Sequence, residues 1–316
     1  MNLLKKIKFN YYLKLIEDYI SNDKYQLAFS EILKLKISDI QIFAELLNKL
    51  DNQLRDISNA QLFQQKIVWT VSYDLDDLEY VNSFLKFYLQ KNIYPEFAIK
   101  NFTDSLSEYA FALNQVKNNY EIKFNEMIKY SSFYQNLLLF EKDNDLKVLN
   151  TCSAFFESKD KNYFIYPNTT LCYFYIIRNP KDIYIKYKKK YGSIEAAYEE
   201  LLNNSNKLYL NFNQNHSHKI FENRVNYNIN LKSWTDPNVV STYKGKMINF
   251  NNLASNTEEA LLDIIYHFKQ HYPKLPVMIE DIKEFISKNK LINETDLELT
   301  QKEIKFLSKN IAYNDF

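Results

Sequence analysis

Asp74, Asp76, Asp77 and Glu79 fall within six residues of one another, in the segment IVWTVSYDLDDLEYVNSFLKFYL (67–89). Carboxylates spaced this closely can clamp Mg²⁺ for phosphoryl chemistry, one as nucleophile and another as general acid. They can also do something simpler, which is to cap and charge the start of a helix. The elements that must position them can be read from the flanks. Ile67 to Tyr73 is an apolar, β-branched run and is expected to be a buried strand. Leu78, Val81, Leu85 and Tyr88, with Phe84 and Leu89 beside them, recur at the spacing of one helix face. A strand-to-helix turn is where α/β proteins usually bind phosphate, because helix N-terminal amides point there. This turn places negative charge where an anion would need positive.

Composition narrows the function classes. With 316 residues, 46% of them apolar and 16% aromatic, the chain has material for one large α/β domain or two domains. A formal net charge of +1 gives no electrostatic case for non-specific nucleic-acid or anionic-membrane binding, a local patch aside, and no nucleic-acid partner is expected. Two glycines, Gly192 and Gly245, cannot furnish a Walker loop or a dinucleotide fingerprint, which need two or three within a few residues. Cys152 and Cys172 form no CxxC pair and no disulfide framework, which fits a reducing, cytoplasmic setting. The start, MNLLKKIKFNYYLK, lacks the apolar core of a secretory signal, and no apolar run is long enough to span a membrane. His267 and His271 have one-face helical spacing, but no glutamate lies between them as in a zincin; exposed histidines are expected, and no metal. His216 and His218, in NFNQNHSHK, read as loop residues.

Three regions are expected. Residues 1–62 read as a helical extension: helices from Tyr11 to Ile20, from Tyr25 to Leu35, and after Ser38-Asp39 with Ile42, Phe43, Leu46, Leu47 and Leu50 inward. Short helices and short turns make it similar to a tetratricopeptide hairpin, although fewer than two units cannot bury their own faces. Residues 63–275 read as the α/β domain. Its first part, 96–143, is expected to be mostly helical, with Leu106, Tyr109, Ala110 and Leu113 as one apolar set. Strands follow at Leu146–Thr151, Leu171–Ile177 and Lys246–Phe250, and helices at Ser193–Leu202, Val225–Trp234 and Glu258–Phe268. That alternation predicts a mostly parallel sheet covered on both faces. Residues 276–316 read as a helical segment packed on the domain.

The segment FYIIRNPKDIYIKYKKKYGSIEAAYEELL (174–202) resembles the sulfotransferases that use phosphoadenosine phosphosulfate (PAPS). That family ends a strand in Arg-[Asn/Asp]-Pro-[Lys/Arg]-Asp, followed eight residues after the arginine by a serine. Arg178-Asn179-Pro180-Lys181-Asp182 match, and the serine place is Lys186. Residues 67–89 resemble the family's first strand, phosphate loop and helix through Trp69, Ser72, Tyr73, Phe84, Leu85, Tyr88 and Leu89. The loop itself departs from the family: its Pro, Lys, Ser, Gly, Asn and Thr become Asp74, Leu75, Asp76, Asp77, Leu78 and Glu79. VLNTCSAF is similar to the Lys-Thr-His strand end, with Thr151 kept, Asn150 in the lysine place and Cys152 in that of the catalytic histidine. Ser233-Trp234 and MINFNNL (247–253) resemble two later segments, with Asn249, Asn251 and Asn252 in charged places. The resemblance covers roughly residues 66–270. It implies a three-layer α/β/α fold of the sulfotransferase, P-loop-like kind.

The departures imply a non-catalytic or strongly diverged member. Each carboxylate about 4 Å from a phosphate costs roughly 4 kcal/mol at an effective dielectric near 20. Two or three such contacts cancel the free energy of a micromolar ligand. The turn is therefore expected to be plugged from within, with Arg178 paired to one of its acids and no cofactor bound. Cys152 is read as a buried structural thiol rather than a base. Function would then lie in binding a protein partner, with residues 1–62 as the candidate contact. An active sulfotransferase is the alternative, its PAPS or PAP (phosphoadenosine phosphate) site rebuilt around Arg178 and Lys186. A second alternative takes Asp74-x-Asp76 as similar to the first motif of haloacid-dehalogenase-type Mg²⁺ phosphatases, although the threonine place is Leu78. KYKKK (186–190) reads as a solvated helix face or a polyanion patch.

Overall fold

The computed structural model of the chain describes residues 3–50, 53, 66–102, 131, 135–139, 146–155, 164–202, 207–212, 219–291 and 299–311. Three helices come first: α1 (Leu3–Ser21), α2 (Tyr25–Ser38) and α3 (Ile40–Lys49). Asp39 caps α3, its carboxylate accepting the Ile42 N–H at 3.2 Å. Ile42, Phe43, Leu46, Leu47 and Leu50 are all buried, as their spacing requires. The first helix is longer than its apolar pattern suggested, starting at Leu3 rather than Tyr11. Residues 54–62, and with them the rest of the expected extension, lie outside the described residues, as do Leu106 to Leu113, His216 and His218.

Strand β1 (Ile67–Ser72) is buried at every residue and runs through a 3₁₀ turn (Leu75–Leu78) into α4 (Glu79–Asn92). Leu78, Val81, Phe84, Leu85, Tyr88 and Leu89 are all buried, so the expected helix face is the observed one. β2 (Ile99–Asn101), β3 (Lys147–Thr151) and β4 (Thr170–Ile177) follow. Next come α5 (Pro180–Tyr191) and α6 (Ile194–Leu202), then the antiparallel hairpin β5 (Lys207–Phe212) and β6 (Lys219–Arg224). The chain closes with α7 (Tyr227–Thr235), α8 (Pro237–Tyr243), β7 (Gly245–Asn249), α9 (Phe250–Ser255), α10 (Thr257–His271), α11 (Ile279–Lys288) and α12 (Gln301–Asn310). Two elements correct the sequence reading. Ile99–Asn101 is an edge strand within a stretch expected to be mostly helical, held by parallel pairing to β3. The β5–β6 hairpin was not anticipated.

The central sheet has five strands, all parallel, in the order β2-β3-β1-β4-β7. Alternation sends its side chains into two cores. Ile67, Trp69, Val71, Leu149, Tyr173 and Tyr175 share one cluster with Ile16, Phe29 and Leu47 of the N-terminal helices and with Trp234 and Tyr243. Val68, Val148, Cys172, Phe174 and Ile176 share the other with α4, α10 and Phe285 of α11. The N-terminal helices thus share one core with a face of the sheet. A third cluster joins α5, α6 and Leu307 of α12 to Tyr73. Gly245 is dictated by packing: a Cβ there would stand 2.2 Å from Cζ of Tyr173.

Candidate functional site

In an open parallel sheet, ligands bind beyond the carboxyl ends of the strands, where neighbouring connections diverge. Here that place lies between β1, whose chain moves on to β2, and β4, whose chain moves on to β7. The register pairs Ser72 with Ile176. Two residues further along each strand stand Asp74 and Arg178, so parallel pairing alone brings the acidic turn and the arginine together.

Local structure then fixes the side chains. Asp74 caps the 3₁₀ turn, its Oδ1 accepting the Asp76 N–H at 3.2 Å, so a side-chain carboxylate takes an amide that a phosphate loop would offer its ligand. Leu75 and Leu78 face the core and lock the turn's orientation. Asp77 is 1% exposed, and its Oδ1 accepts from Nη1 of Arg178 at 2.6 Å. The Arg178 guanidinium also lies over the Phe250 ring, 4.5 Å from its centroid. Lys186, one and a half turns into α5, reaches Oδ2 of Asp74 at 3.0 Å and Oδ2 of Asp76 at 2.7 Å. Three of the turn's four acids are thus paired with these two cations. Asp76 and Glu79 depart from the expected plug: both side chains are exposed, so only Asp74 and Asp77 are buried in the turn.

The electrostatics follow from burial. Burial raises the Asp77 carboxyl; Arg178 opposes that rise and neighbouring Asp74 adds to it, and the result is about 6. Burial disfavours the Lys186 ammonium, yet Asp74 and Asp76 outweigh it and hold its pKa above the ordinary lysine value. Oδ2 of Asp77 is buried without a hydrogen-bond partner among the described residues.

Beside the closed turn lies a cavity of about 870 Å³. Arg178, Lys186, Asp76, Tyr80, Phe250 and Phe285 are among the residues that line it. Lys189, Lys190, Lys288 and Lys290 bring further positive charge. The run KYKKK is therefore only in part a solvated face. Lys186 serves the acidic turn, Lys188 pairs with buried Glu303 at 2.8 Å, and Lys189 and Lys190 stay exposed. Lys288 and Lys290 belong to the C-terminal segment and gave no signal in the sequence beyond their charge.

Other expected positions lie elsewhere. Cys152 is buried and its carbonyl accepts from Nδ2 of Asn230 at 3.1 Å; neither it nor Asn150 lines the cavity. Oδ1 of Asn150 is likewise buried without a hydrogen-bond partner among the described residues. Asn249 and Asn252 line a separate cavity of about 590 Å³ between β7 and α10. His267 and His271 are half-buried rather than exposed. A ring nitrogen of His267 hydrogen-bonds the Lys244 carbonyl at 2.9 Å, and the two imidazoles meet edge to face. Among the described residues no group of three or more His, Cys, Asp or Glu side chains is arranged to hold a metal ion, and no helix is long and apolar enough to cross a membrane. No protein-family model and no curated protein sequence matches the chain.

Proposed function

We propose that the chain is a sulfotransferase-like protein whose donor site is closed by its own carboxylates, and that it works by binding a protein partner rather than by transferring a sulfuryl group. The observation that carries this reading is the buried pair of Arg178 and Asp77. In the resemblance this arginine would hold the donor's 3′-phosphate; here a carboxylate stands 2.6 Å from it. The place of the catalytic histidine is a buried cysteine, and loss of a positioned base costs about 10²–10⁴-fold. Residues 1–62 remain the candidate contact with the partner. Titration calorimetry with adenosine 3′,5′-bisphosphate tests the reading. No binding tighter than about 1 mM is expected; a micromolar affinity that Arg178→Ala weakens would falsify it.

One observation favours the second reading, an active enzyme with a rebuilt donor site: the lysines around the 870 Å³ cavity. In that case Lys288→Glu with Lys290→Glu abolishes nucleotide binding. Closure by carboxylates predicts no binding to lose. The phosphatase reading is less favoured, because Oδ2 of Asp74 meets the Lys186 ammonium at 3.0 Å, where that chemistry needs a divalent cation.

A further inference from the structure

Helix α1 has two apolar faces. Phe9, Tyr12, Leu13, Ile16 and Ile20 pack into the core. Leu3, Leu4, Ile7 and Tyr11 lie on the opposite side, between 58% and 77% exposed. Their three- and four-residue steps make one continuous stripe. The charge along this half of the helix is one-signed: Lys5, Lys6, Lys8 and Lys14, with no acid before Glu17. At about 100° per residue, Lys6 and Lys8 stand on either side of Ile7, so cations flank the stripe on both edges. Lys6 and Lys14 are exposed, while Lys8 is half-buried with Nζ 3.5 Å from Asp39.

We propose that this outward face of α1 seats on an anionic lipid surface, with Leu3, Leu4, Ile7 and Tyr11 entering the interface and the exposed Lys6 and Lys14 meeting headgroup charge. Exposed apolar side chains with lysines beside them can enter a headgroup boundary while the ammonium groups stay in water. A bilayer accepts exposed apolar side chains without a matching groove. A second copy of the chain fits less well, because an α1–α1 contact would bring lysines against lysines. The inference is independent of the carboxylate-closed turn: losing lipid binding leaves the nucleotide titration unchanged.

The test is co-sedimentation of the full chain with vesicles of phosphatidylcholine alone and of equimolar phosphatidylcholine and phosphatidylserine. Binding to the anionic vesicles is expected to be at least about tenfold stronger, since each lysine near such a surface contributes about fivefold. High salt should weaken it. Leu4→Glu with Ile7→Glu should remove it while leaving the circular dichroism and melting temperature unchanged, because both side chains point away from the core. Three results would overturn the proposal. They are equal or absent binding to the two vesicle types, binding that survives the double substitution, and a wild-type dimer in light scattering that the substitution turns into monomer.

Discussion

Asp77→Asn isolates the carboxylate paired with Arg178. The amide is nearly the same shape, and its oxygen can still accept from Arg178, but the negative charge is gone. An incoming anion seated on Arg178 would lie close to Asp77. At about 4 Å and an effective dielectric near 20, unit like charges repel by roughly 4 kcal/mol. Relaxation and screening reduce this, and half of it, about 2 kcal/mol, corresponds to roughly 30-fold in affinity. Calorimetry with inorganic sulfate suits the measurement, because sulfate keeps its charge across the relevant pH range. Asp77→Asn should bind it about 30-fold more tightly than wild type at neutral pH. Wild type should itself gain affinity as pH falls through the Asp77 value of about 6, since protonation removes the same charge. The Asn variant should lack that pH dependence. A folded Asp77→Asn protein with no more affinity than wild type would show that this carboxylate is not what excludes anions.

The same carboxyl sets a stability trend. Its folded value, about 6, lies above the ordinary 3.8, so its contribution is fully present below 3.8 and is lost as pH rises through about 6. Relative to Asp77→Asn, wild type should therefore lose melting temperature across that window. Glu303 shows the opposite behaviour: burial works against its charge, but Lys188, Tyr184 and Thr300 bring its pKa down to about 2. Its contribution is present above the ordinary 4.5 and fades as pH falls towards 2. Glu303→Ala, which also breaks the capping box of α12, should cost about 1–2 kcal/mol in urea unfolding at neutral pH. Gly245→Ala forces a methyl against the Tyr173 ring and should cost about 1–3 kcal/mol by the same measurement. Unchanged stability would mean that β4 and β7 can part locally.

Much of this site was legible because parallel strands leave few choices. Once 67–72 and 171–177 are read as neighbouring buried strands, the residues just beyond them must meet, and the pairing of Arg178 with the acidic turn follows. What did not show in the sequence was which acid would do it. Asp74, Asp76, Asp77 and Glu79 look alike in a string; the 3₁₀ geometry buries Asp74 and Asp77 and turns Asp76 and Glu79 outward. Part of the Arg-Asn-Pro-Lys-Asp match also has a purely local cause. Asn179 caps α5, accepting the Lys181 N–H at 2.9 Å, and Pro180 takes the first helical position. Arg178, and Lys186 further along α5, reach the acids. β2 stayed hidden because three residues at a sheet edge carry almost no periodic signal. The β5–β6 hairpin stayed hidden because its connection contains no glycine to mark a tight turn.

The position of β1 has a consequence for synthesis. It is third of the five strands, and both its neighbours, β3 and β4, lie downstream. Val71 meets Thr151 on one side and Tyr175 on the other. At roughly 5–20 residues per second, the ribosome needs several seconds or more to deliver them. Throughout that wait a largely apolar ribbon, polar only at Thr70 and Ser72, exists without its neighbouring strands. The helices made before it share a core with Ile67, Trp69 and Val71. The leading helices are thus placed to chaperone one side of the nascent ribbon until the rest of the sheet emerges.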